Sequence, residues 1–171
     1  MKKKEIELKF VIDSKYLKQI ANRASEVLTI IQGYFDITNN FRIRTVNNGG
    51  VMKSYLTIKG DRDNLTREEY EYEIPYEEGL ELIKNFTYYT VLKTRYLVKN
   101  GKDNWEIDVF HGENSGLIIA ELEICREDYD IKMPKWVDEW KPVHDDERYY
   151  NSYLSKHPYS EWENKNGKER D

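Results

Sequence analysis

Acids and bases recur at every second position along several segments of this chain, and their grouping sets the chemistry available to it. Glu5, Glu7 and Lys9 alternate with Ile6, Leu8 and Phe10. Arg42 and Arg44 flank Ile43, and Lys53, Tyr55, Thr57 and Lys59 alternate with Leu56 and Ile58. Arg67, Glu69, Glu71 and Glu73 face the opposite way from Tyr70, Tyr72 and Ile74. Lys93 with Arg95, Glu106 with Asp108, and Glu121 with Glu123 repeat the spacing. Carboxylates two apart on a strand share a face and are hard oxygen donors of the kind that hold Mg2+ or Mn2+. Converging Arg and Lys suit phosphate oxygens, arginine as a planar fork. Acids and bases on one surface therefore describe a polyanion bridged to a divalent metal, as in phosphoryl transfer.

Exposed strands also alternate Glu and Lys, so a solvated face is the competing reading. Two features favour an inward face. The pattern spans seven strands, each backed by bulky apolar side chains. The signs also segregate by strand, and clustered like charges are costly unless something opposite lies among them. Charges facing inward must pair or bind ions.

The elements that would carry these faces are strands over 4–11, 27–37, 41–46, 51–59, 66–74, 88–99, 104–110 and 117–126. Helices are expected over 15–26, 75–86 and 145–156. Asn47-Asn48-Gly49-Gly50 joins two strands, so it reads as a hairpin rather than a phosphate-binding loop. Hairpins outnumber crossovers. The expected class is α+β, mainly β: an eight-stranded antiparallel closed barrel with a charged lumen and helices packed outside. Residues 1–158 form one domain, and 159–171 are expected to be a frayed polar tail.

Composition narrows the function classes. The 171 residues carry 27 Lys and Arg against 32 Asp and Glu, a net charge of −5 that argues against general nucleic-acid coating. Charged residues make up 35% of the chain and mean hydropathy is −0.87, so no transmembrane helix is expected. The basic start runs straight into an alternating segment, which is not a signal peptide. One cysteine, Cys125, excludes an internal disulfide and a Cys-based zinc site and points to a reducing, cytoplasmic setting. His111, His144 and His157 lack metal-ligand spacing, and Trp136 and Trp140 read as packing residues on the barrel's outside.

The ordered motifs resemble the CYTH, or triphosphate tunnel metalloenzyme, superfamily across about residues 4–154. Glu5-Ile6-Glu7-Leu8-Lys9 matches its ExExK signature. The Arg42/Arg44 pair, T-I-K-G at Lys59, R-E-E-Y-E from Arg67 and K-T-R-Y at Lys93 and Arg95 follow in the family's order. So do E-I-D-V-F at Asp108, A-E-L-E-I at Glu121 and Glu123, and D-D-E-R-Y-Y-N at Arg148. The resemblance implies a triphosphate tunnel and divalent-metal-dependent cleavage of a triphosphate, with Mg2+ or Mn2+ as cofactor. By position it implies Glu5, Glu7, Glu121 and Glu123 as the metal set, with Glu69, Glu71 and Asp108 secondary. It implies Lys9, Arg42, Arg44, Lys59, Lys93 and Arg95 as phosphate ligands. Arg67 and Arg148 either join them or neutralise a neighbouring acid. Glu5, Glu7, Lys9, Arg42 and Arg44 form the implied catalytic group.

The leading expectation is a hydrolase of tripolyphosphate, acting more weakly on nucleoside triphosphates, because no appended domain would recognise a base. A class IV-like adenylate cyclase, a thiamine triphosphatase and a non-catalytic polyphosphate-binding module are the alternatives. The expected partner is a small polyanion such as tripolyphosphate or ATP, not nucleic acid or membrane, acting on a monomer or homodimer.

Overall fold

Alternation on this scale builds a sheet with one polar and one apolar face. The computed structural model describes residues 6–35, 41–60, 68–126 and 128–162. Its strands are β1 (Ile6–Val11), β2 (Glu26–Tyr34), β3 (Phe41–Asn48), β4 (Val51–Lys59), β5 (Glu69–Ile74), β6 (Tyr89–Asn100), β7 (Asp103–Phe110), β8 (Ile118–Ile124) and the two-residue β9 (Lys141–Pro142). They pair in the order β5-β4-β3-β2-β6-β7-β8-β1-β9, and every ladder is antiparallel. The eight expected strands are all present, and β9 is an addition. A closed ring was expected; among the described residues no main-chain ladder joins β5 to β1. The outer edge of β1 is instead taken at its end by β9, where Phe10 faces Pro142 and Val11 faces Lys141.

Two apolar clusters bracket the polar face. The first lies outside the sheet, where Phe10, Ile107, Ala120 and Leu122 pack with Trp105, Ile20, Trp136 and Val137. The short helix α1 (Leu17–Ala21) and the Trp-rich connector cover it. The second joins Tyr34, Val91, Phe110, Leu117 and Ile119 to Val143, Tyr149 and Leu154, so the C-terminal segment seals one end of the polar face. The helix α2 (Tyr76–Phe86) packs against β2, β3 and β4.

Two helices are shorter than expected. Beyond α1 the Ser25 amide and hydroxyl turn to the Leu97 carbonyl, and the β-branched run from Val27 enters the sheet. Near the C-terminus, the Asp146 carboxylate caps the Arg148 amide in a single turn at Glu147–Tyr149, and Tyr150 is extended. Only Asn151–Lys156 forms the helix α3. The tail also differs from expectation at its start. Tyr159 and Trp162 pack on the second cluster, and the Tyr159 amide donates to Asn114 Oδ1 at 2.8 Å. Apolar burial holds these residues in place. The rest of the tail, 163–171, lies outside the described residues.

The β3–β4 hairpin closes on Gly49 and Gly50, with φ of 56° and 98°, values that match a primed turn and favour glycine. Gly79 of α2 is fixed by proximity instead: a Cβ there would lie 2.3 Å from Ser54 Oγ on β4. Gly79→Ala is expected to cost about 1–3 kcal/mol in urea unfolding, since overpacking outweighs the gain in helix propensity. Adding Ser54→Gly should recover part of that loss. A Gly79→Ala protein as stable as the parent would refute the close approach.

Candidate functional site

Register partners in an antiparallel ladder share a face. The ladders pair Lys9 with Glu121, Glu121 with Glu106, Arg95 with Asp108, Arg42 with Thr57, Thr57 with Glu71, and Lys59 with Glu69. The charged residues singled out from β1 and β3 to β8 therefore lie on one surface, the one that the C-terminal segment caps.

The innermost group is a chain of alternating charge. Lys9 bonds to Glu121 and lies 3.0 Å from Glu7. The other oxygen of Glu121 accepts from Arg95 Nη2 at 2.9 Å. Arg95 forks onto Asp108 at 2.6 and 2.7 Å and also meets Glu106. Asp108 takes Lys93 Nζ at 2.5 Å. Burial lowers the pKa of Lys9, but Glu121 and Glu7 outweigh it and hold the pKa above the ordinary value. Burial raises the pKa of Glu121, but Lys9, Lys93 and Arg95 outweigh it and hold it well below the carboxylate range. Lys93 goes the other way: burial, reinforced by Arg95, lowers it despite Asp108. Glu106 is raised by burial and, against the pull of Arg95, by Glu121 and Asp108.

A second, more open group lies on β3, β4 and β5. Glu69 receives Lys59 at 2.6 Å and Arg42 at 3.5 Å. Glu71 receives Arg44 at 2.8 Å and the Thr57 hydroxyl at 3.2 Å. The Nε atoms of Arg42 and Arg44 are buried and have no hydrogen-bond partner within the described protein. Buried donors in that state call for an acceptor, and phosphate oxygens supply one.

The structure thus brings together Lys9, Arg42, Arg44, Lys59, Lys93 and Arg95 with Glu7, Glu69, Glu71, Asp108 and Glu121. Arg148 is not among them: its side chain is 58% exposed, pairs with Asp146 at 2.6 Å and lies over Trp162. The carboxylate two residues away holds it locally as a surface ion pair, the second of the two roles that the resemblance left open for Arg148. Glu5 and Arg67 lie outside the described residues.

A metal site needs carboxylates that a hydrated ion can reach. Among the described residues, no three Asp, Glu, His or Cys side chains converge as a ready cage. Glu7 and Glu123 face each other directly across the β1–β8 ladder, and both reach solvent, Glu7 with 45% of its side chain. Two opposed carboxylates on one face favour a cation beside them, and Lys9 already lies against Glu7. Mg2+ is commonly held by one or two carboxylates plus substrate phosphates, so this donor set fits a hard divalent ion.

Sequence reasoning missed several residues of the face. Tyr34 and Gln32 are fully buried and bonded to each other; burial raises the tyrosine pKa, against the charges of Arg42 and Lys9. Tyr150 places its ring 5.8 Å from Lys9 Nζ, and Asn151 Oδ1 lies 3.4 Å from Lys93 Nζ. Gln32 and Tyr34 were open to detection by their two-residue spacing; the other two depend on a contact between distant segments.

An antiparallel sheet whose charged face is capped at one end is the architecture of a triphosphate tunnel. A family profile described as the CYTH domain matches residues 3–151, and the chain belongs to that family. It is 40% identical to an inorganic triphosphatase of Acetivibrio thermocellus over 159 residues, covering 91% of this chain and 96% of that protein. The solved structure of the inorganic triphosphatase NE1496 is similar, with a TM-score of 0.57, 28% identity, and coverage of 88% of this chain and 93% of that one. The PH1819 protein of Pyrococcus horikoshii shares the fold at a TM-score of 0.52 and 23% identity, over 72% of this chain and 80% of that one.

Glu121→Gln removes the carboxylate that Lys9 and Arg95 share, leaving Glu7 to the one and Asp108 and Glu106 to the other, and is expected to cost about 3–5 kcal/mol in urea unfolding at neutral pH. The pH dependence has a definite sign. The folded-state pKa of Glu121 is depressed, so its stabilisation is complete above the unfolded pKa and disappears as pH falls through the folded one. Above the ordinary carboxylate range the deficit of the variant should be full; below it the deficit should shrink as pH falls. A deficit that grows on acidification would refute the assignment.

Proposed function

We propose that this chain is a divalent-metal-dependent inorganic triphosphatase that hydrolyses tripolyphosphate and acts more slowly on nucleoside triphosphates. The observation that carries the reading is the pair of orphaned guanidinium Nε donors, Arg42 and Arg44, buried among four further cations on one face. The curated relative and the NE1496 protein, both named inorganic triphosphatases, support it. Arg42, Arg44 and Lys59 hold the phosphates on one wall, and Lys9, Lys93 and Arg95 on the other. Glu7 and Glu123, with Glu5 two residues before Glu7, would hold Mg2+ or Mn2+, which when bound supplies positive charge to the phosphate oxygens.

Water attacks the terminal phosphorus, the bond to the bridging oxygen breaks, and pyrophosphate leaves with its electrons. Arg and Lys stabilise the charge on the equatorial and leaving oxygens. Glu106, with its pKa raised, is suited to take the proton of the attacking water. The single cysteine and an intracellular type of substrate support a cytoplasmic setting.

Phosphate release should be measured from tripolyphosphate, ATP and pyrophosphate with Mg2+, with Mn2+ and with a chelator. Metal-dependent turnover of tripolyphosphate, slower cleavage of ATP and a loss of about a hundredfold or more in Arg44→Ala are expected. Cyclic AMP and pyrophosphate from ATP would replace the hydrolase reading with a cyclase; tight tripolyphosphate binding without turnover would replace it with a binding module.

A further inference from the structure

The Lys93 amine is 2% exposed, and among the described residues the one carboxylate it pairs with directly, Asp108, is already committed. Asp108 takes two donors from Arg95 as well as Lys93, so one negative charge serves two cations. A second oxygen near Lys93 comes from outside the sheet: Asn151 Oδ1, at 3.4 Å, on the first residue of α3. The residue before it, Tyr150, lays its ring 5.8 Å from the other buried lysine, Lys9, and is anchored by its hydroxyl on the His144 carbonyl. The segment that seals the apolar end thus also touches both buried lysines.

We propose that Asn151 is a positioning residue for substrate binding: its neutral amide oxygen orients Lys93 without cancelling its charge, leaving that charge for a phosphate. This rests on the triphosphatase reading above. A carboxylate at the same place would hold the ammonium more strongly, yet would neutralise it and repel the polyanion. A purely structural role predicts an equally stable Asn151→Asp protein with parental KM, because an acid in the first turn of a helix is favourable.

Two variants separate the roles, Asn151→Asp and Asn151→Leu. Each is followed by thermal unfolding, by tripolyphosphate turnover and by calorimetric binding of tripolyphosphate alone. Asn151→Asp should melt no lower than the parent, yet raise KM about tenfold with a smaller change in kcat. Asn151→Leu, which keeps the shape and removes the oxygen, should raise KM about threefold. Parental KM in Asn151→Asp overturns the proposal. If that variant does not fold, parental KM in Asn151→Leu overturns it. A parent protein that neither binds nor turns over tripolyphosphate defeats the triphosphatase reading itself, which distinguishes the two failures.

Discussion

Everything in this structure depends on burying charge without leaving it alone. An uncompensated ion in the interior costs several kcal/mol, more than any single packing contact returns. The chain meets that demand by placing Lys9, Glu121, Arg95, Asp108 and Lys93 in an alternating line across four adjacent strands. Each strand contributes one sign near its centre, so no strand is compatible with the interior until its neighbours are in register. A slip by one residue in β8 would turn Glu121 outward and bring Leu122 among the cations. The ion-pair line therefore acts as a register lock as well as one wall of the proposed phosphate site.

Much of this was legible before any coordinates. Period-two alternation located the eight main strands, and segregation of sign by strand identified which face turns inward. Strand β2 was the least informative. Its inward face carries Leu28, Ile30, Gln32 and Tyr34, with no charge to mark it, and so Tyr34 and Gln32 escaped notice. Arg148 stayed open between phosphate and a neighbouring acid because a motif match says nothing about a competing local partner, here Asp146 two residues away. Partner choice was also hidden: alternation shows that Arg95 and Asp108 share a face, not that Asp108 must serve Lys93 too. The roles of Tyr150 and Asn151 depend on where a short helix docks after the sheet has formed, and no spacing within either segment records that.

Two separate apolar cores make the polar interior possible. The Trp105 cluster stabilises the sheet from outside, so the inner face need not be hydrophobic for the sheet to fold. The Phe110–Leu154 cluster then closes one end, where the inner face itself becomes apolar at Val91, Phe110 and Ile119. Along that face the chain passes from a dry end through tightly paired charges to exposed ones such as Lys53 with Glu73.

That gradient decides which ion pairs can yield to a substrate. Breaking the fully buried Lys9–Glu121 and Arg95–Asp108 pairs would leave both members of each desolvated, at a cost a phosphate must first repay. The pairs on β3, β4 and β5 are cheaper to open. Glu69 and Glu71 keep a quarter to a third of their side-chain surface accessible, and Arg42 meets Glu69 only at 3.5 Å. Water can receive these carboxylates when phosphate oxygens replace them on Arg42, Arg44 and Lys59. In the proposed reaction the inner line thus remains intact as a fixed electrostatic floor, and the outer pairs exchange glutamate for phosphate. Preorganisation of this kind places the energetic cost of the cation cluster in folding rather than in the chemical step.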